Sequence, residues 1–200
     1  NIKEIVPLCE EFGLTLDQTA QNRLNAYGNL LLSWNEKMNL TAIREPREVL
    51  YKHFYDCLLF FKHVEVAENA RVIDVGTGAG FPGLPLKILV PSLSVTLLDS
   101  LNKRVDWLNE VAAQLGLAGV TALHARAEEQ AQVKGFRDSF DFATARAVAD
   151  WMRRYKVSAY DERTGKGLLR HIYVRVNKKG ESLCCIVVNG KQVPREPELA

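Results

Sequence analysis

Two rhythms of apolar positions run along this chain. Through the first 65 or so residues they recur every three or four places; from Arg71 they gather into short β-branched runs separated by helical stripes. Ile2, Ile5, Val6, Cys9 and Phe12 predict a first helix stopped by Gly13, and Thr15-x-x-Gln18 has the spacing of a capping box. Ala20, Leu24, Tyr27, Leu31 and Trp34 step by 4, 3, 4 and 3, the stripe of a second helix. A third starts at Pro46 and is expected to bury Val49, Leu50, Phe54, Leu58 and Phe61. Residues 1–68 therefore read as an N-terminal α-helical cap. Between its second and third helices lies Trp34-Asn-Glu-Lys-Met-Asn-Leu-Thr41, too polar for a core, which suits a helix C-cap and loop as well as it suits a site.

The second rhythm predicts alternating strands and helices, hence a parallel sheet. Val72, Ile73 and Val75 form a first strand; Val95 to Asp99 a second; Val120 to Ala125 a third, followed by Arg126-Ala-Glu-Glu129; Phe140 to Ala147 a fourth. The helix between the second and third strands runs from Leu101 to Leu115 with a stripe of Leu101, Val105, Leu108, Ala112 and Leu115, and Gly116 ends it. Ligands of such sheets bind beyond the carboxyl ends of the strands, where Asp74, Asp99, the 126–129 loop and Arg146 fall together.

Between the first strand and its helix stand four glycines in eight residues, Gly76, Gly78, Gly80 and Gly83, with Pro82 and Pro85 where the helix begins. A strand, a glycine turn and a helix N-terminus make a backbone shaped for close approach of a ligand. Gly78-Ala-Gly80-Phe-Pro-Gly83 fits the dinucleotide pattern G-x-G-x-x-G, a weak signal alone. Asp74, two residues before the first glycine, changes the balance: a carboxylate there repels a pyrophosphate and favours a cationic ligand. S-adenosylmethionine, with its ammonium and sulfonium, suits that charge better than a nicotinamide or flavin dinucleotide. Asp99 follows Gly80 by 19 residues, close to the separation at which an acid takes both ribose hydroxyls.

Composition narrows the class further. With 47% hydrophobic and 25% charged residues the chain reads as globular, and 200 residues allow one ordinary domain, or one and a small appendage. No apolar run reaches the roughly 18–20 residues that span a bilayer and none resembles a signal peptide, so a cytoplasmic protein is expected, with no membrane partner. Asn1 is not an initiator and reads as a trimmed start. Cys9, Cys57, Cys184 and Cys185 lack metal-ligand spacing, which leaves reduced buried thiols and no metal as the expectation. The net charge of +2 is uneven: Lys plus Arg against Asp plus Glu is 7 to 10 over residues 1–70, 8 to 9 over 71–151 and 11 to 5 over 152–200.

Six motifs in order carry a resemblance over residues 1–150. They are Trp34-Asn-x-x-x-Asn39-Leu-Thr41, Lys52-His53-x-x-Asp56, Asp74-Val-Gly-Thr-Gly-Ala-Gly-Phe-Pro-Gly83, Leu98-Asp99-Ser-x-x-Lys-Arg104, Arg126-Ala-Glu-Glu129 and Ala145-Arg146-Ala147. Together they resemble the RsmG family of bacterial small-subunit (16S) rRNA guanine-N7 methyltransferases, also called glucose-inhibited division protein B. Cys57 stands where the family usually has Ser. The resemblance implies a Rossmann-like class I S-adenosylmethionine methyltransferase fold with the cofactor domain at residues 69–150. It also implies S-adenosylmethionine as cofactor, ribosomal RNA in the small subunit as partner, and cofactor contacts at Gly76, Phe81, Ala127, Glu128 and Arg146, which join Asp74, Gly78 and Asp99 from the reading of the turn and strand ends. No general base is named, because guanine N7 already carries a lone pair. A monomer is favoured. Lys37, Arg44, Arg47, Lys52 and His53 mark the cap as the RNA side.

Near Trp151 the resemblance changes. The family continues with three further strands to a seven-stranded sheet, whereas Tyr160-Asp-Glu-x-Thr-Gly-Lys-Gly-Leu-Leu-Arg-His171-Ile and Val188-Asn-Gly-Lys191 resemble a segment of the RumA-like rRNA uracil-C5 methyltransferases. Residues 151–200 are accordingly expected to be a basic β-hairpin tail after a sheet truncated at its fourth strand, with strands at His171–Val176 and Leu183–Val188. Two other classes remain open: a cofactor-binding module without turnover, and a nicotinamide-dependent oxidoreductase, which Asp74 argues against.

Overall fold

The first apolar run is broken where one helix is expected. In the computed structural model, which describes residues 1–62, 64–130, 132–136, 139–144, 169–176 and 182–188, a 3₁₀ turn at Ile2–Glu4 precedes helix α1, Val6–Glu10. Pro7 accounts for the break: it has no N–H to give the carbonyl of Lys3, so a continuous helix would lose that bond. Helix α2 spans Gln18–Met38. Its N-cap is Asp17, whose Oδ1 accepts from the N–H of Ala20 at 2.6 Å, so the capping box expected at Thr15 and Gln18 does not form. A carboxylate is the better cap because its charge also faces the positive end of the helix.

Helix α3 begins at Pro46–Val49, passes through a π-helical Leu50–Tyr55 and then Asp56–Leu58, and ends in a 3₁₀ turn at Leu59–Lys62. Its buried side chains are Val49, Leu50, His53, Phe54, Cys57 and Leu58. Phe61, expected among them, is half-buried beside Phe60.

Strands β1 (Arg71–Val75), β2 (Ser94–Asp99), β3 (Val120–His124) and β4 (Phe142–Thr144) form one sheet in the order β3-β2-β1-β4, parallel throughout. Helices α4 (Gly83–Leu89), α5 (Asn102–Gln114) and α6 (Ala127–Gln130) alternate with them. This is the Rossmann-like arrangement that the alternating pattern implies. Asp141 pins β4 to β1: its N–H donates to the carbonyl of Arg71 and its carboxylate accepts from the Arg71 N–H at 2.7 Å. These bonds to Arg71 hold the Asp141 carboxyl below the usual carboxylate range.

On α5, Trp107 and Val111 fill the core together with Val105, Leu108 and Ala112. Leu101 does not join that stripe. It is the N-cap, before the helix has turned inward, and is 42% exposed.

Among the described residues cap and sheet share one hydrophobic core, running from Ile2 and Ile5 through Leu24, Tyr27 and Leu31 to Leu84, Leu86, Leu97 and Trp107. Lys87 is buried with them; its ammonium donates to the carbonyls of Pro91 and Leu93, and burial pushes its pKa down.

Beyond the sheet, β5 (Leu169–Val176) and β6 (Ser182–Val188) pair antiparallel in a sheet of their own. Their connection at 177–181, and the stretch 145–168 that includes Arg146 and the Trp151 junction, lie outside the described residues. Among the described residues β4 pairs with β1 alone. No helix among them is long and apolar enough to cross a membrane.

Candidate functional site

The glycine turn leaves β1 at the carboxyl edge of the sheet. The N–H groups of Gly76 and Thr77 both donate to the carbonyl of Leu98, at 2.9 and 3.1 Å, so the turn is stitched to the end of β2. Gly76, Gly78 and Gly80 have φ of +66°, +59° and +107°, conformations that side-chain-bearing residues rarely adopt.

The four glycines serve two different purposes. A Cβ on Gly83 would come within 2.4 Å of Leu97 Cδ2 and 3.0 Å of Asp74 Oδ2, and one on Gly80 within 2.5 Å of Leu84 Cδ1 and 2.7 Å of the Tyr27 hydroxyl. These two admit close packing of the protein against itself. A Cβ on Gly78 would meet nothing within 4 Å, and Gly76 is exposed. The open side of the turn is thus at Gly76 and Gly78.

The two strand-end carboxylates are both buried, Asp99 at 3% exposure, and they differ in what they hold. Asp74 is fully buried. Its Oδ2 accepts from the Thr77 hydroxyl at 2.6 Å and the Gly83 N–H at 2.9 Å, and its Oδ1 from the Thr144 hydroxyl at 3.0 Å. The expectation that this carboxylate lies open to a cationic ligand therefore fails: its oxygens are engaged in holding the turn, the start of α4 and β4 together. Its charge reaches the edge only at a distance.

Asp99 sits at the edge itself. Its Oδ2 accepts from the Gly78 N–H at 2.9 Å and lies 3.4 Å from Arg104 Nη1, while its Oδ1 accepts from the Leu101 N–H at 3.0 Å. A carboxylate offers about four lone-pair sites, so these contacts leave room for one more donor, and two if Arg104, itself a third exposed, moves aside. Beside it the exposed Leu101 supplies an apolar surface that the stripe argument had assigned to the core. His124, paired with Asp99 across β2 and β3, bonds the carbonyl of Ser100 at 3.1 Å.

Of the other expected contacts, Ala127 opens α6 and is half-buried, and Glu128 is the next residue of that helix. Phe81 is not at the open edge. It is 1% exposed, stacked between Tyr27 (5.1 Å between centroids) and His53 (4.8 Å), because its ring fills the seam between cap and sheet. Arg146 lies outside the described residues.

Nor is His53 a surface cation of the cap. It is buried under the turn, and its Nε2 is 2.8 Å from the hydroxyl of Thr41. Thr41 is held in turn by the buried Asn35, whose Oδ1 accepts its N–H at 2.9 Å, and Asn39 closes α2 in a left-handed conformation. The polar segment 34–41 is therefore a built helix end, linked to the glycine turn through His53 and Phe81. Lys52 is paired with Glu48, and Arg47 lies 3.7 Å from Glu4 and over the ring of Tyr51. Lys37 and Arg44 are exposed, the latter 3.3 Å from the Asn39 side-chain oxygen.

A parallel sheet, a glycine turn after β1 and an acid at the end of β2 define a Rossmann-like α/β ligand-binding unit. The family described as GidB, rRNA small subunit methyltransferase G, matches residues 20–168, and the chain belongs to it. That match runs past Trp151, where the resemblance was expected to change. The chain is 52% identical over 141 residues to a "Ribosomal RNA small subunit methyltransferase G" of Alkaliphilus metalliredigens, with 70% of this chain and 59% of that protein covered. It is 51% identical over 142 residues to one of Clostridium perfringens, covering 71% of this chain and 59% of that protein. The chain thus spans 59% of the length of these relatives. Among solved structures it is similar to a protein-L-isoaspartate O-methyltransferase, with 13% identity, 72% of this chain and 47% of that chain covered, and a TM-score of 0.48.

Proposed function

We propose that the open side of the turn holds S-adenosylmethionine and that the chain methylates N7 of a guanine in small-subunit 16S rRNA. The observation that carries this is the juxtaposition of Gly78, open and left-handed, with the Asp99 carboxylate that accepts its N–H. The residues fit the cofactor. Gly76 and Gly78 leave space for an amino-acid moiety along the turn, Asp99 has acceptor capacity for ribose hydroxyls, and Leu101 and Ala127 flank it with apolar surface for a purine. S-adenosylmethionine supplies an electrophilic methyl group. Guanine N7 brings its own lone pair, so the protein's task is alignment rather than proton removal. The cap, where Lys37 and Arg44 are exposed, is the RNA side. We place the protein in the cytoplasm as a monomer.

Incubation with small ribosomal subunits lacking the mark and methyl-labelled cofactor, followed by nuclease digestion and mass spectrometry, tests this. Label is expected in 7-methylguanosine. Label in 5-methyluridine would contradict it. Because the chain covers 59% of its relatives' length, cofactor binding without turnover is the second reading, and bound cofactor with no label would favour it.

A further inference from the structure

We infer that the helical cap is part of the cofactor site: Tyr27 of α2 is a positioning residue that sets the shape of the glycine turn. In the apolar stripe of α2 Tyr27 stands where a leucine would do, yet its ring is fully buried and its hydroxyl donates to the carbonyl of Ala79 at 2.7 Å. The indole N–H of Trp107, from α5 on the sheet side, donates to the same oxygen at 3.0 Å. One carbonyl of the turn is therefore gripped from both sides, and it lies between Gly78 and Gly80, two of the left-handed residues. The absence of a side chain at Gly80 is what lets the Tyr27 hydroxyl come this close.

A second link enforces the first. The cap's His53 stacks on Phe81 at an interplanar angle of 14°, and its far side is tied to Thr41 of the 34–41 segment. The cap thus holds the peptide before Gly80 by a hydrogen bond and the residue after it by stacking. The orientation of the Gly78 N–H, and with it the Asp99 carboxylate that accepts it, follows from these two grips.

The affinity part of this inference rests on the cofactor reading; the geometric part does not. The test uses the whole chain with Tyr27→Phe, which keeps the ring and removes the hydroxyl, and Thr41→Val, which cuts the tie to His53. Ile5→Val, in the core of the cap away from the turn, serves as a control of comparable stability loss. Two readouts are taken well below the unfolding temperature: titration with S-adenosylhomocysteine, and amide hydrogen exchange of the 76–83 segment. Tyr27→Phe is expected to weaken the ligand about three- to tenfold, the span of one net hydrogen bond, with a smaller loss for Thr41→Val and none for Ile5→Val. Exchange of residues 76–83 should quicken in the first two variants and not in the third. A Tyr27→Phe protein with wild-type affinity and wild-type exchange overturns the inference, as does an equal loss in Ile5→Val. If the unsubstituted chain binds no S-adenosylhomocysteine, the cofactor reading fails and exchange alone decides: faster in Tyr27→Phe upholds the grip on the turn, unchanged refutes it.

Discussion

Seen from the two ends of the glycine turn, the same motif does opposite work. Its inner end, Ala79 to Gly83, is closed: Asp74, Tyr27, Trp107, Leu84 and Leu97 crowd it, and glycine is required there because the protein has left no volume. Its outer end, Gly76 to Gly78, is bonded to Asp99 through the Gly78 N–H and has free space where a Gly78 Cβ would stand, so glycine is required there for the backbone angle. The lesson is that a glycine-rich signature is a composite. Half of it builds the frame and half leaves the vacancy, and the acid nearest the first glycine in sequence belongs to the frame.

This division predicts a graded set of effects. The largest belongs to Asp74→Ala, which leaves the Thr77 and Thr144 hydroxyls and the Gly83 N–H without their buried acceptor. At about 1–3 kcal/mol per unsatisfied buried group, thermal denaturation should find the variant largely unfolded or its Tm lowered by well over 10 °C. Gly83→Ala comes next, at about 3 kcal/mol from overpacking against Leu97 and Asp74, and urea titration should show an earlier midpoint.

Asp99→Ala should reverse the pattern, with S-adenosylhomocysteine binding at least tenfold weaker by calorimetry, for a lost charge-assisted contact of about 1.5–3 kcal/mol, and a smaller stability loss than Asp74→Ala. Gly78→Ala is the mildest. With nothing for the Cβ to strike, only the left-handed φ costs, about 1–2 kcal/mol. If Gly78→Ala proved more damaging to folding than Gly83→Ala, the inner and outer roles would have been assigned the wrong way round.

Much of the frame could be read before any coordinates. β-branched runs and stripes place β1, β2, β3 and α5 within a residue or two, because their burial follows local periodicity, whereas α2 continues four residues past Trp34 to Met38. The misses share a cause: each depends on what lies across the fold. Nothing local says that Asp74 will meet Thr144, 70 residues on, instead of a ligand. Nothing in the α2 stripe distinguishes the Tyr27 hydroxyl from a core ring, and His53 next to Lys52 looks like surface. Phe81, carried over as a cofactor contact, is claimed by the cap. Pro7 and Asp17, by contrast, are local residues that mark helix boundaries which apolar spacing by itself does not locate.

The division between the two ends of the turn is tested most directly by titrating the ¹⁵N-labelled chain with S-adenosylhomocysteine and following its amide resonances. The largest shifts are expected at Gly76, Gly78, Leu101 and Ala127, with Gly83 and Leu84 nearly still. No shifts at the outer glycines, or the largest ones at Gly83, would contradict the assignment of the open side of the turn as the cofactor site.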